Sequence, residues 1–131
     1  MYLYKGFTLV ELLIVVAILG IIAAIGFPIY TGHIDTARQQ EAIASLNSIA
    51  MMQEQYQLEN NNSSYWTTGN SCNDSTNQIE STLFGGDNSL NDEKYYYCII
   101  PYNNNGYKII ATLKTDNNKK LCLDNNNETN C

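Results

Sequence analysis

Apolar and polar positions divide this chain unevenly. From Phe7 to Tyr30 nearly every position is apolar, and the only charge in the run is Glu11. In helical geometry a run of this length matches the hydrocarbon core of a bilayer. After Tyr30 the pattern changes. Ala42, Ile43, Leu46, Ile49 and Ala50 recur at steps of three and four, while Glu41, Ser48, Met51 and Gln55 point elsewhere. That periodicity predicts an amphipathic continuation of the same helix over 31–58, with Gln53 interrupting the apolar stripe and Tyr56 extending it. The polar run Asn60 to Ser64 has poor helix propensity, so the helix is expected to fail near Leu58. From Phe7 to Leu58 it would measure roughly 78 Å, too long for one small domain to bury both halves. The first half must find partners outside the chain.

Residues 59–93 are rich in Asn, Ser, Asp, Thr and Gly and read as a loop draped over the helix, with one short helical turn around Thr76 to Thr82. From Lys94 onward the signal is β. Tyr95 to Ile100 forms a first strand ending near Pro101, and Asn103 to Gly106 a turn with an Asn-Gly step. Tyr107 to Thr115 forms a second strand, Asp116 to Lys119 the next turn, and Lys120 to Leu123 a short third strand. The simplest packing is an α+β fold. Its long N-terminal helix has a protruding apolar half and an amphipathic half laid on a small antiparallel sheet of three or four strands.

Glu11 does not suit a plain membrane anchor. A carboxylate in such a helix costs at least ~2.5 kcal/mol unless it is neutral, snorkelling or paired. The residues ahead of it, MYLYKG, suggest the partner. Cutting after Gly6 would keep the apolar helix, unlike a secretory signal, and would give Phe7 a free amine. Buried in an apolar medium, that amine needs a counter-ion as much as the carboxylate does. The two lie about one helical turn apart, or ~6 Å along the axis. They can pair within one chain, or between neighbours staggered by that much.

Lys5 to Val16, K-G-F-T-L-V-E-L-L-I-V-V, resembles the prepilin signature of type IV pilins and pseudopilins, and the likeness extends through Gly20, Gly26 and Pro28 to Tyr30. The resemblance implies cleavage by a prepilin peptidase after Gly6, N-methylation of Phe7, and pairing of Glu11 with the Phe7 amine of an adjacent subunit as a filament grows. It also implies a pilin fold and three segments. These are a leader at 1–6, a transmembrane and assembly helix at 7–30, and a periplasmic or extracellular globular domain at 31–131. The implied partners are other pilin subunits, the peptidase and, before assembly, the inner membrane, which the chain crosses once; afterwards it lies in a fibre at the cell surface. Pro28 cannot donate to the carbonyl four residues back, so a kink is expected there, and Gly20 and Gly26 weaken the helix before it. The resemblance implies that this region bends or melts inside a filament.

Composition narrows the picture further. At 131 residues there is room for one domain, and loss of residues 1–6 removes one Lys and takes the formal charge from −6 to −7. That balance argues against a general affinity for nucleic acid. Four cysteines, all after position 70, suit an oxidising compartment and a thin core. They permit three pairings. Cys122–Cys131 would tie the Asn-rich tail to the sheet, leaving Cys72–Cys98 to join the long loop to the first strand. The resemblance supports the first bridge, because it places a disulfide-bounded loop near the C-terminus. Asp74, Asp87, Asp92 and Glu93 lack the ligand order of a calcium loop and read as solvated loop charge.

No phosphate loop, nucleophile elbow or second histidine is present, so an enzyme and a bound cofactor are not expected. Three functions remain: a structural subunit of a type IV pilus, serving adhesion, motility or DNA uptake; a pseudopilin of a type II secretion system; and a minor pilin that binds DNA. The third rests on Lys108, Lys114, Lys119 and Lys120, a local group of basic residues around the last hairpin of an acidic protein. Lysines there also suit an exposed strand edge that must not pair.

Overall fold

The structure of the protein is a computed structural model, and it describes residues 6–61, 64–90 and 92–131, without the side chains of Pro28 and Thr31. Of the expected leader only Gly6 falls among the described residues, and the Pro28 ring on which the expected kink rests lies outside them. The chain divides into two compact units, Met1–Ala37 and Arg38–Cys131. Helix α1, Leu9–Glu59, belongs to both. It is followed by α2 (Thr76–Leu83) and strands β1 (Tyr95–Tyr102), β2 (Gly106–Leu113) and β3 (Asp116–Asp124). The architecture is the α+β one that the periodicity predicts, with three antiparallel strands in the order β1-β2-β3.

In the first unit the described side chains of α1 are exposed, and the helix is long and apolar enough to cross a membrane. In the second unit the helix buries one face only. Ala42, Leu46, Ile49 and Gln53 are buried at helical spacing, as their three- and four-residue steps require. They meet the inward face of the sheet, where Tyr97, Ile99, Tyr107, Ile109, Ala111 and Leu123 alternate with outward residues. Burial pushes the Tyr107 phenol up to about 12 and raises that of Tyr97 as well.

Gln53 is the polar residue in this stripe, and it is fully buried. Its amide donates to the Trp66 carbonyl at 2.6 Å and accepts from the Trp66 N–H at 3.1 Å. One glutamine therefore satisfies both backbone groups of a loop residue and ties the start of the long loop to the helix. The substitution Gln53→Leu keeps the volume but strands those two groups, each worth ~1–3 kcal/mol when buried and unpaired. We expect a loss of ~2–4 kcal/mol in urea unfolding of the disulfide-intact chain; a change near zero would mean that water reaches the Trp66 backbone.

The loop continues along the free side of β1. Thr68 exchanges hydrogen bonds with Ile99 through both its backbone N–H and its hydroxyl, and Ser75 N donates to the Tyr97 carbonyl. The edge of β1 is thereby covered, which blunts it against pairing with other chains. Asp92 is not the solvated charge its neighbours suggest. It is buried, accepting from the N–H groups of Lys94 and Tyr95 and from the Tyr97 hydroxyl.

The turns also differ in detail from the sequence reading. Asn103, Asn104 and Asn105 join β1 to β2, with Asn103 and Asn105 at positive φ (53° and 89°), a region asparagine tolerates better than most residues. Gly106 admits no side chain: a Cβ there would strike the Asn125 amide and the Tyr102 carbonyl. Between β2 and β3 the reversal comes at Lys114-Thr115, so that Leu113 pairs with Asp116 and Thr112 with Lys120. The expected turn at Asp116 to Lys119 is instead a bulge inside the ladder. Its turn chemistry is retained, because the Asp116 carboxylate accepts from the Asn118 N–H.

Candidate functional site

Two places carry the sequence-predicted residues. The first is the start of α1. Thr8 is its N-cap and Glu11 the third helical residue, and the two form a reciprocal capping box. The Glu11 N–H donates to Thr8 Oγ1 at 3.3 Å, while Glu11 Oε2 accepts from the Thr8 N–H at 3.2 Å and the Thr8 hydroxyl at 3.0 Å. The carboxylate is thus drawn back toward the chain start and lies over the residue next to the Gly6–Phe7 bond. Both partners are exposed, with no cation beside them among the described contacts of this single chain. The Thr-x-x-Glu spacing carries this signal, which the sequence reading passed over in favour of the charge alone. Downstream, α1 is continuous through Gly20 and Gly26, where a Cβ would meet nothing within 4 Å.

The second is the outward face and free edge of the sheet. Cys98, Ile110 and Cys122 stand opposite one another in a single row across the three strands. From the two ends of this row run the disulfides Cys72–Cys98 and Cys122–Cys131. They draw the long loop over one side of the face and the C-terminal segment over the other. The tail is further fixed by Asp124, whose carboxylate accepts from the N–H groups of Asn126 and Glu128, and whose N–H donates to the Glu128 carbonyl.

The four lysines do not act as one patch. Lys108 is buried under the tail, where Nζ donates to the Asn130 carbonyl at 2.9 Å and sits 3.9 Å from the Tyr102 ring centroid. Lys114 Nζ donates to the Asp92 carbonyl at 2.8 Å. Lys114, Lys119 and Lys120 are all exposed, and Lys119 and Lys120 lie on β3, whose outer edge no other strand covers. The only arginine, Arg38, lies between Glu41 at 3.0 Å and Glu93 at 3.6 Å. Among the described residues, Lys119 and Lys120 therefore offer a pair of basic side chains at the β3 edge. Beside it stand exposed amides of Asn117 and Asn118, and Asn125 lies close against Gly106 and donates its N–H to the Tyr107 carbonyl.

A long N-terminal helix with this signature, followed by a disulfide-stapled antiparallel sheet, defines a pilin. Residues 1–27 match the model of the prokaryotic N-terminal methylation motif. Residues 28–126, most of the chain, match the model described as type IV minor pilin ComP, DNA uptake sequence receptor, and the chain belongs to that family. Among curated relatives it is similar to the fimbrial protein EcpB of Eikenella corrodens, 50% identical over 48 residues, which covers 37% of this chain and 30% of the relative. The type IV wide pilus major component PilA4 of Thermus thermophilus is 46% identical over 57 residues, 44% of each chain. The type II secretion system core protein G of Pectobacterium carotovorum is 35% identical over 60 residues, 46% of this chain and 38% of the relative. In each case the match spans less than half of the relative's own length. No solved structure matches the chain.

Proposed function

We propose that this chain is a DNA-binding minor subunit of a type IV pilus. Residues 1–6 are its leader, removed by a prepilin peptidase after Gly6, and Phe7 then carries an N-methylated amine. Residues 7–30 hold it in the inner membrane as a single span and later join it to other pilin subunits, with Glu11 neutralising the Phe7 amine of a neighbour. Gly20, Gly26 and Pro28 supply the give that packing in a fibre demands. Residues 31–131 form the part displayed at the cell surface. The observation that carries this reading is the family match over 28–126, which includes the sheet and lies beyond the N-terminal motif that pilins share with pseudopilins.

Within that domain Lys119 and Lys120 are the phosphate contacts. Lys108 and Lys114 act at one remove, holding the tail and the β1 approach in place. Two phosphate contacts predict a slope of about −1.8 in log K against log salt. The amides of Asn117 and Asn118 beside them suit base edges, adenine above all. Titration of the full chain in detergent with duplex DNA across a salt series tests this. The double variant Lys119→Glu with Lys120→Glu is expected to lose binding and its salt slope. Absence of binding by the unaltered chain at low salt would remove DNA from the reading and leave a purely structural or pseudopilin role.

A further inference from the structure

Strand β3 ends the sheet, and its outer side carries no further strand. Backbone groups of successive strand residues turn to opposite sides of the strand. The Asn125 N–H donates to the Tyr107 carbonyl, toward β2, whereas the Asp124 N–H donates to the Glu128 carbonyl of the tail, away from β2. By the same alternation Leu121 and Leu123 bond to β2, while Lys120 and Cys122 turn N–H and C=O to the open side. Among the described residues no backbone partner meets either of them there. The tail thus starts to pair with the β3 edge at Asp124 and then leaves it. Its next residues are drawn onto the outward face of the sheet, by the Lys108 bond to the Asn130 carbonyl and by the Cys122–Cys131 bridge.

Along this same edge runs a groove of about 530 Å³. Ile43 and Leu46 of α1 line one wall and Leu121 and Leu123 the other, with Asn127 and Thr129 of the tail beside them. Unpaired backbone groups next to an apolar groove are what an extended segment needs: the first hold its main chain and the second takes its alternate side chains. A compact apolar ligand would fill the groove and leave the backbone groups of Lys120 and Cys122 unpaired. Charge narrows the occupant further. Two copies of this edge would set lysine against lysine, which is how exposed edges avoid pairing with their own kind. A carboxylate opposite Lys120 is the complementary choice.

We propose that the β3 edge and the groove beside it take up an extended acidic segment of another protein, apolar at alternate positions, as a fourth strand of the sheet. Its apolar side chains enter the groove against Ile43 and Leu46, and its acidic ones lie on the outward face near Lys120. This partner is additional to DNA and does not depend on the DNA reading.

The test uses the full chain in nanodiscs of zwitterionic lipid and the fluorescein-labelled synthetic peptide Thr-Val-Thr-Val-Glu-Glu. Laid antiparallel to β3, it puts its valines opposite Leu121 and Leu123 when its first glutamate faces Lys120. Fluorescence anisotropy should show saturable binding, and amide exchange at Lys120 and Cys122 should slow when the peptide is bound. N-methylation of the peptide's second threonine and first glutamate, the residues facing Cys122 and Lys120, should weaken binding ~tenfold or more by removing the edge hydrogen bonds. Ile43→Glu should weaken it ~tenfold or more by placing a carboxylate in the groove, with both disulfides and the melting temperature kept, since Ile43 is partly exposed. Absence of saturable binding by the unaltered chain overturns the proposal. Equal binding of the N-methylated peptide also overturns it, because the contact is then charge attraction alone. Equal binding by Ile43→Glu does so too, by removing the groove from the site.

Discussion

Replacing Glu11 by Gln should leave a precursor that is inserted and cut normally but enters fibres poorly, with content ~10²-fold or more below wild type. The substitution separates the capping that the structure shows for this side chain from the charge neutralisation proposed for it. As the third residue of α1, Glu11 accepts from the Thr8 N–H and hydroxyl, and a glutamine can make the same capping contacts. It cannot neutralise an amine. Leaving one member of a buried charge pair alone costs ~3–5 kcal/mol, whereas losing a helix cap costs ~1 kcal/mol. Glu11→Ala removes both and should fall only slightly below Glu11→Gln. Thr8→Val weakens the cap and keeps the charge, and should assemble far better than either. Quantifying the three variants in sheared fibres, with the cut N-terminus verified by mass spectrometry, decides between the roles. Wild-type content for Glu11→Gln alongside a defect in Glu11→Ala would assign the carboxylate to capping alone.

The reading of the elements from sequence rests on periods long enough to survive packing. The three- and four-residue steps from Ala42 to Ile49 and the β-branched and aromatic runs after Lys94 leave little choice of partner, so a helix on a small antiparallel sheet of three or four strands follows. What the sequence conceals is the fate of polar residues. Gln53 reads as a flaw in an apolar stripe, and only the position of Trp66 reveals it as the anchor of the loop. Asp92 sits among loop charges and becomes a buried acceptor because β1 begins three residues later, turning the Lys94 and Tyr95 N–H groups toward it. Strand alternation places Lys108 on the outward face of the sheet. Outward means exposed only if nothing lies over that face, and a tail folded back by a disulfide is a long-range event with no local signal. The four lysines therefore look like one patch in sequence and divide into two buried or engaged and two free in the fold. Register is a further loss. The Asn-rich stretch after Asp116 has turn composition, but the β2–β3 pairing resumes at Lys120 and converts it into a bulge.

Opening the two disulfides separately should destabilise the chain to different degrees. Cys72 and Cys98 are 26 residues apart and Cys122 and Cys131 only 9, so the first bridge removes more conformational freedom from the unfolded chain. Chain entropy alone assigns ~3.5 kcal/mol to the first and ~2.7 kcal/mol to the second. Packing widens the gap. Cys98 is fully buried beside Ile110, and its bridge holds the segment that covers the edge of β1, whereas Cys131 is exposed at the end of the chain. Without Cys122–Cys131 the tail still keeps the Asp124 contacts and the Lys108–Asn130 bond, and Leu123 keeps its place in the core. The pair Cys72→Ser with Cys98→Ser should therefore lower the melting temperature by ~10 °C or more, and Cys122→Ser with Cys131→Ser by less. DNA binding should follow the opposite order, because the second pair removes the covalent tie on the tail beside the β3 edge while the fold persists. Thermal unfolding and DNA titration of the two double variants check both orders. A greater loss of stability from the Cys122–Cys131 pair would show that the outward face of the sheet depends on its tail for packing, and that loop length does not set the scale.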